Sequence, residues 1–84
     1  MAPDSETKLP GEFNKVSVIG LGYVGLPTAA IMANRGIDVL GIDVNPETVE
    51  IINKGDIHIV EPDLDILVRS AVSSGKLVAA TTPE

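Results

Sequence analysis

The sequence predicts an α/β fold in which a small parallel sheet is flanked by helices, and two observations support this. Short aliphatic and β-branched runs alternate with segments of helical periodicity, as in strand–helix–strand units. The first run, Lys15 to Ile19, also passes directly into a glycine-rich turn and a helix from Tyr23 to Asn34. Further strands are predicted at Asp38 to Ile42 and Leu77 to Thr81. Right-handed crossovers would join the three in the order 3-2-1.

The turn after the first strand contains the spacing G-x-G-x-x-G, at Gly20, Gly22 and Gly25. Gly20 lets the chain turn sharply off the strand, Gly22 lets a pyrophosphate approach the backbone, and Gly25 lets the helix pack tightly on the sheet. The helix N-terminus adds unpaired N–H groups and about half a positive charge, which attract an anion. Glycine-rich turns of this spacing also occur without a ligand, so the neighbouring residues decide the interpretation.

An acidic residue, Asp43, ends the second strand and follows Gly25 by 18 residues. This separation is close to the ~20 residues expected for the carboxylate that binds the adenosine ribose of a dinucleotide. The alternative is that Asp43 only helps to cap the next helix. Val44 and Asn45 follow, so a 2′-phosphate would be repelled by Asp43 and would find no cation. The sequence therefore predicts an NAD site rather than an NADP site. Its predicted residues are Gly20, Leu21, Gly22, Tyr23, Val24, Gly25 and Asp43.

The chain of 84 residues has room for one half of a Rossmann-type fold, which is built from two βαβαβ halves. We expect this partial NAD-binding domain over residues 15–84, after a disordered tail over residues 1–14. The formal net charge of −6 argues against a general surface for nucleic acid or for an anionic membrane. No apolar run approaches the ~20 residues of a membrane span. The chain contains no cysteine, which fits a reducing, cytoplasmic environment.

The remaining segments complete the predicted elements. The first strand should be buried on both faces beyond Lys15, because its apolar residues are nearly continuous. Asn45 and Pro46 resemble an N-cap and a first-turn proline, which predicts a helix to Lys54. Residues 56–61 alternate polar and apolar side chains, which indicates a short extended segment. A third helix follows Pro62, with an amphipathic stripe at i, i+3, i+4, i+7 and i+8. The stripe consists of Leu64, Leu67, Val68, Ala71 and Val72.

No residue of the chain is predicted to be catalytic or to bind a metal. His58 is the only histidine, and its alternating segment favours a structural or surface role. Tyr23 is expected to contribute its backbone and to pack over the dinucleotide. Thr81 and Thr82 finish a strand at the edge where open α/β sheets bind ligands, but strand propensity alone explains them.

Longer motifs extend beyond the glycines, namely VIGLGYVGLPTAA and GIDVNPETVEIINKGDIHIVEPDLDILVRSAVSSGKLVAATTP. In these motifs the chain resembles the UDP-glucose/GDP-mannose dehydrogenase family over nearly everything after the N-terminal tail. The piece INKGDIHIVEPDL is similar to the branch that acts on UDP-N-acetyl-D-mannosamine. The resemblance places cofactor contacts at Gly20 to Gly25 and at Asp43. At Thr48 relatives often carry a Lys or Arg near the cofactor, and this chain lacks that cation.

The resemblance also implies an activity for a parent enzyme. That enzyme would oxidise the C6 alcohol of a UDP-sugar to a carboxylate in two NAD-dependent steps, through a Cys-bound thiohemiacetal and thioester. The product would be a uronic-acid precursor of bacterial surface polysaccharide. The catalytic Cys and its Lys and Asn partners lie far downstream in the family, so this chain corresponds to the N-terminal NAD-binding part of a homo-oligomeric enzyme.

Two other interpretations stay open on the residues alone. One is the opening segment of another NAD enzyme, such as a hydroxy-acid dehydrogenase, which does not explain EPDL. The other is a non-catalytic nucleotide-binding module.

In the order 3-2-1 the first strand also has a bare outer edge, which predicts self-association or strand exchange.

Overall fold

The computed structural model describes residues 15–83, so the tail predicted over 1–14 lies outside the described residues. In chain order these residues form β1 (Lys15–Ile19), α1 (Gly25–Asn34), β2 (Asp38–Ile42), α2 (Pro46–Asn53), α3 (Leu64–Ser73) and β3 (Leu77–Ala80). None of the helices in this range is long and apolar enough to cross a bilayer.

The three strands form one parallel sheet in the order β1-β2-β3, which confirms the predicted 3-2-1 arrangement. Lys15 pairs with Asp38 at one end of β1, and Ile19 pairs with Ile42 at the other. Strand β2 pairs with β3 from Val39–Leu77 to Ile42–Ala80. All three carboxyl ends therefore lie at one edge of the sheet, where ligands bind in open α/β folds.

Helices α1 and α3 pack on one face of the sheet and against each other. Three alanines of α1, at positions 29, 30 and 33, are almost fully buried, because small side chains allow close contact between helix and sheet. At the end of α1, Gly36 has φ 93°, the left-handed conformation in which many helices end and which glycine adopts without strain. Asn34 links the two helices, since its side-chain amide donates to the carbonyl of Leu67 at 3.0 Å and accepts from the Ser70 hydroxyl at 2.8 Å.

Strand β1 is less buried than predicted. Val16 and Val18 are half-buried, but Ser17 is exposed and the side chain of Ile19 is 73% exposed. Val18 faces α1, and alternation along the strand directs Ser17 and Ile19 to the opposite face. Within residues 15–83, α1 and α3 cover only the first of these faces, so the prediction of burial on both faces was wrong.

Residues 56–61 join no strand and bend at His58 and Ile59, so they form an irregular loop and not the predicted extended segment. Ile59 is buried in the core and Ile57 packs beside it, while His58 and Val60 are exposed. The alternation of side chains therefore reflects a loop that inserts every second residue into the core. Smaller differences concern element ends: α1 begins at Gly25, two residues later than predicted, and β3 ends at Ala80, one residue earlier.

Candidate dinucleotide-binding site

The glycine-rich turn connects the carboxyl end of β1 to the N-terminus of α1. Gly20 has φ 86°, a conformation that glycine adopts without strain, and its N–H donates to the carbonyl of Ile42 at 2.7 Å. A Cβ at Gly25 would overlap the carbonyl oxygen of Gly20. These two glycines therefore reverse the chain and bring the start of α1 directly onto the end of β1.

The N-terminus of α1 is an open set of hydrogen-bond donors. Among residues 15–83, no oxygen accepts from the backbone N–H groups of Gly22, Tyr23, Val24 or Gly25. No side chain caps the helix at Val24, and the first turn contains no acidic residue. A Cβ at Gly22 would meet no atom within 4 Å, so there is space above its backbone. Such a helix end can bind a diphosphate through its N–H groups.

Asp43 follows β2 at the same edge of the sheet and accepts two backbone hydrogen bonds. Its Oδ2 accepts from the N–H of Leu21 at 2.9 Å, and its Oδ1 accepts from the N–H of Asn45 at 3.0 Å. The cap of α2 is the side chain of Asn45, whose Oδ1 accepts from the N–H of Glu47 at 2.9 Å. Asp43 therefore shapes the turn before α2 without being the residue that caps it.

These hydrogen bonds also fix the charge of Asp43. The N–H of Leu21, and next that of Asn45, lower the pKa of the carboxyl group below its ordinary value of 3.8. Asp43 is therefore an ionised acceptor at neutral pH. A carboxylate has about four acceptor positions, and two are occupied, which leaves positions for two ribose hydroxyls.

Leu21 and Gly41 complete the site in a way that the sequence analysis missed. Leu21 lies between two turn glycines, yet its side chain is 0% exposed and belongs to the core. A Cβ at Gly41, in the middle of β2, would come within 2.8 Å of Cδ2 of Leu21. A glycine inside a strand indicates such a close approach, and this signal was available in the run DVLGI.

The other residues singled out in the sequence have smaller roles in this geometry. Tyr23 and Val24 are 63% and 80% exposed, so neither side chain belongs to the core, and the packing of Tyr23 over the dinucleotide stays a prediction. His58 is exposed, and Thr48 is buried in α2. Thr81 and Thr82 are exposed just beyond β3. Within residues 15–83 there is no group of three or more His, Cys, Asp or Glu side chains that could hold a metal ion.

Comparison with known proteins decides the family. Residues 14–84 match the model of the UDP-glucose/GDP-mannose dehydrogenase family, NAD binding domain. The chain belongs to this family. The chain therefore contains the NAD-binding domain of the UDP-glucose/GDP-mannose dehydrogenase family, and the interpretation as a hydroxy-acid dehydrogenase is wrong.

Relatives within the family place the match more closely. The chain is 66% identical over 73 residues to a UDP-N-acetyl-D-mannosamine dehydrogenase from Campylobacter jejuni, a match that covers 87% of this chain and 18% of that protein. It is 59% identical over 73 residues to an NDP-N-acetyl-D-galactosaminuronic acid dehydrogenase from Ralstonia nicotianae, covering 87% and 17%. Among solved structures, the UDP-N-acetyl-mannosamine dehydrogenase of Staphylococcus aureus superposes with a TM-score of 0.80 at 48% identity, covering 83% of this chain and 17% of that one. The chain therefore spans less than a fifth of the length of these relatives.

Proposed function

We propose that this chain is the NAD-binding segment of a UDP-sugar 6-dehydrogenase that oxidises the C6 alcohol of UDP-N-acetyl-D-mannosamine to the carboxylate. The observation that carries the proposal is the 66% identity to a UDP-N-acetyl-D-mannosamine dehydrogenase, over a stretch that includes the whole glycine-rich turn and Asp43. The open helix end beside an ionised carboxylate supports it independently, since these are the groups that a dinucleotide requires.

In this proposal the glycine-rich turn and the residue after β2 bind different parts of NAD. The backbone N–H groups from Gly22 to Gly25 bind the diphosphate, and the carboxylate of Asp43 accepts from the adenosine ribose hydroxyls. NAD, when bound, supplies the hydride acceptor. The residues of this chain contribute binding and orientation, and none of them exchanges a proton with the sugar.

The same groups select NAD over NADP. A 2′-phosphate would lie against the ionised Asp43, and the next residues, Val44 and Asn45, offer no cation. The negative charges of the phosphate and the carboxylate would repel each other, and no Arg or Lys follows Asp43 directly to offset this repulsion.

The chemical step belongs to the complete enzyme. Oxidation of an alcohol to a carboxylate removes four electrons, so we propose two NAD-dependent steps through a thiohemiacetal and a thioester on a cysteine. The 84 residues contain no cysteine, and the proposed nucleophile lies in a further part of the protein. We also propose that the enzyme is cytoplasmic and homo-oligomeric and that its product is a precursor of surface polysaccharide.

A second candidate substrate is an NDP-N-acetyl-D-galactosamine. The relative named an NDP-N-acetyl-D-galactosaminuronic acid dehydrogenase is 59% identical over 73 residues, compared with 66% over 73 residues for the relative named a UDP-N-acetyl-D-mannosamine dehydrogenase. Both candidates share the NAD site and differ in a sugar-binding region that the matched segment does not include.

Two experiments test the proposal. The first is titration of the ¹⁵N-labelled chain with NAD and with NADP, for the wild type and for Asp43→Ala. We expect NAD to shift the amides of residues 22–25 in the wild type, and the preference for NAD over NADP to disappear in Asp43→Ala. Equal affinities for both dinucleotides in both proteins would remove the ribose contact.

The second experiment is the sequence of the DNA that follows the codon for Glu84. A downstream open reading frame with a Cys-containing motif is expected, and the complete protein should form two NADH for each UDP-N-acetyl-D-mannosamine. Higher kcat/KM with the galactosamine substrate would favour the second candidate. A stop codon directly after Glu84 would contradict the dehydrogenase and support a nucleotide-binding module.

A further inference from the structure

Asp43 contacts the glycine-rich turn directly. Its Oδ2 accepts from the N–H of Leu21 at 2.9 Å, across 22 positions of sequence. Leu21 is the residue between Gly20 and Gly22, so this bond joins the end of β2 to the centre of the turn. The carboxylate that the proposed function assigns to the ribose is therefore also hydrogen-bonded to the turn whose following N–H groups are assigned to the diphosphate.

The side chain of Leu21 also holds this residue in place, because it packs on β2. It is 0% exposed and lies over Gly41, where a Cβ would come within 2.8 Å of one methyl group and 3.0 Å of the other. A third contact, from the N–H of Gly20 to the carbonyl of Ile42 at 2.7 Å, holds the preceding residue against β2. Three separate contacts to β2 and its end thus fix residues 20 and 21, while the N–H groups of residues 22–25 stay available.

We infer that Asp43 is a positioning residue for the diphosphate as well as a ribose acceptor, because it holds the glycine-rich turn in its binding shape through the backbone of Leu21. This inference rests on the proposed function for the identity of the ligand. The two roles are compatible, since two backbone donors use only half of the acceptor positions of the carboxylate. In this inference the diphosphate and ribose sites are joined by the hydrogen bond between Leu21 and Asp43.

Asp43→Asn separates the two roles. An amide presents one oxygen and one NH₂ group, so whichever way it is oriented, one of the two backbone N–H groups at Leu21 and Asn45 faces a donor. The shape of the side chain is preserved. Asp38→Asn is the matched control, because Asp38 begins the same strand, pairs with Lys76 at 3.3 Å, and lies at the opposite end of β2.

The test measures binding of two ligands to the ¹⁵N-labelled 84-residue chain, namely NAD and an NAD analogue without hydroxyls on the adenosine ribose. If Asp43 holds the turn, Asp43→Asn lowers the affinity for both ligands, by about tenfold or more for NAD and by about fivefold for the analogue. These changes are the size expected for lost hydrogen bonds to a charged group and to a backbone group. Asp38→Asn leaves both affinities unchanged. Asp43→Ala removes both acceptor oxygens, so if this variant binds NAD more weakly but binds the analogue as the wild type does, Asp43 acts on the ribose alone and the inference is overturned.

A ligand-free measurement keeps the inference separate from the proposed function. The amide proton of Leu21 should shift as Asp43 is protonated in the wild type, and this shift should be absent in Asp43→Asn. If neither ligand binds the wild type, the proposed function fails, and the Leu21 amide alone decides whether Asp43 holds the turn. A Leu21 amide that is insensitive to the ionisation of Asp43 would overturn the inference even where NAD binds.

Discussion

Gly25 begins α1 directly against the carbonyl oxygen of Gly20, the first residue of the turn after β1, and a methyl group at position 25 would overlap that oxygen. The contact involves backbone on one side, so it cannot be relieved by rotation of a side chain. The approach of α1 to the sheet therefore depends on the absence of a Cβ at this position.

Gly25→Ala should destabilise the chain by about 3 kcal/mol or more, because α1 must move away from β1. The matched variant is Gly22→Ala, whose added methyl group meets no atom within 4 Å. We expect the free energy of unfolding of Gly22→Ala to lie within about 1 kcal/mol of the wild-type value. This variant should nevertheless bind NAD weakly, since the methyl group occupies the space proposed for the diphosphate. Urea unfolding and NAD titration measure the two effects. Equal loss of stability in both variants would contradict the different roles given to these glycines.

Gly41→Ala and Leu21→Ala should be strongly coupled. Alone, Gly41→Ala forces the buried Leu21 side chain aside, at a cost of about 1–3 kcal/mol. In the Leu21→Ala background the obstructing methyl groups are gone, and alanine is favoured over glycine in a strand by about 0.5–1 kcal/mol. The effect of the substitution on stability should therefore change sign, which a double-mutant cycle measures. Additive effects would show that Leu21 does not pack on Gly41.

Stability should depend on the ionisation of Asp43 in acid. Its pKa in the folded chain lies below 3.8, so the unfolded chain binds more protons between the folded value and 3.8. The contribution of Asp43 is then fully present above about pH 4 and is lost as the pH falls through the folded pKa. Urea unfolding between pH 2.5 and about 6 should show a steeper acid loss in the wild type than in Asp43→Asn. Parallel curves for the two proteins would contradict the two backbone hydrogen bonds.

Asn53 should stabilise the outer edge of β3. Its side-chain amide donates to the carbonyl of Ala79 and accepts from the N–H of Ala79, both at 2.9 Å. Asn53→Ala leaves both backbone groups without these partners and should cost about 1–3 kcal/mol, while Lys54→Ala, at the next and exposed position, should change stability by less than about 0.5 kcal/mol. Hydrogen exchange at the amide of Ala79 should accelerate in Asn53→Ala alone. Unchanged exchange there would remove the edge-protecting role.

Self-association is expected through β1. Among residues 15–83, β1 pairs only with β2, and Ile19 beside its outer edge is 73% exposed. Such an edge can pair with a second chain, and a lysine there opposes this. Light scattering over a concentration series should show association of the wild type and less association of Ile19→Lys. A well-folded monomer at high concentration would contradict the prediction.

Much of the fold follows from periodicity and turn residues, because local patterns decide it. The strand β2 was predicted with its observed bounds, and the parallel order followed from helical crossovers. The roles of Gly20 and Gly25 could be predicted because the positive φ of Gly20 and the close approach at Gly25 are local steric requirements. The exposure of Ile19 could not, since it depends on which elements cover the sheet and not on the residues of β1 itself.

In the candidate site, too, local features could be predicted from the sequence, whereas contacts between distant segments could not. The role of Gly25 at the helix start is local, but the bond from Leu21 to Asp43 joins residues 22 positions apart and leaves no mark in either segment. The run from Asp56 to Glu61 shows the converse, because its alternation has the period of a strand although each buried side chain belongs to a loop.

The pairing of Asn53 with Ala79 gives the sheet a direction of growth. A strand arriving beside β3 would meet backbone groups of Ala79 that a helix side chain already occupies. On the opposite margin, nothing in residues 15–83 competes for the outward-facing groups of β1. Any additional strand, whether from the same polypeptide or from another molecule, should therefore join next to β1, and the three strands act as a one-sided template.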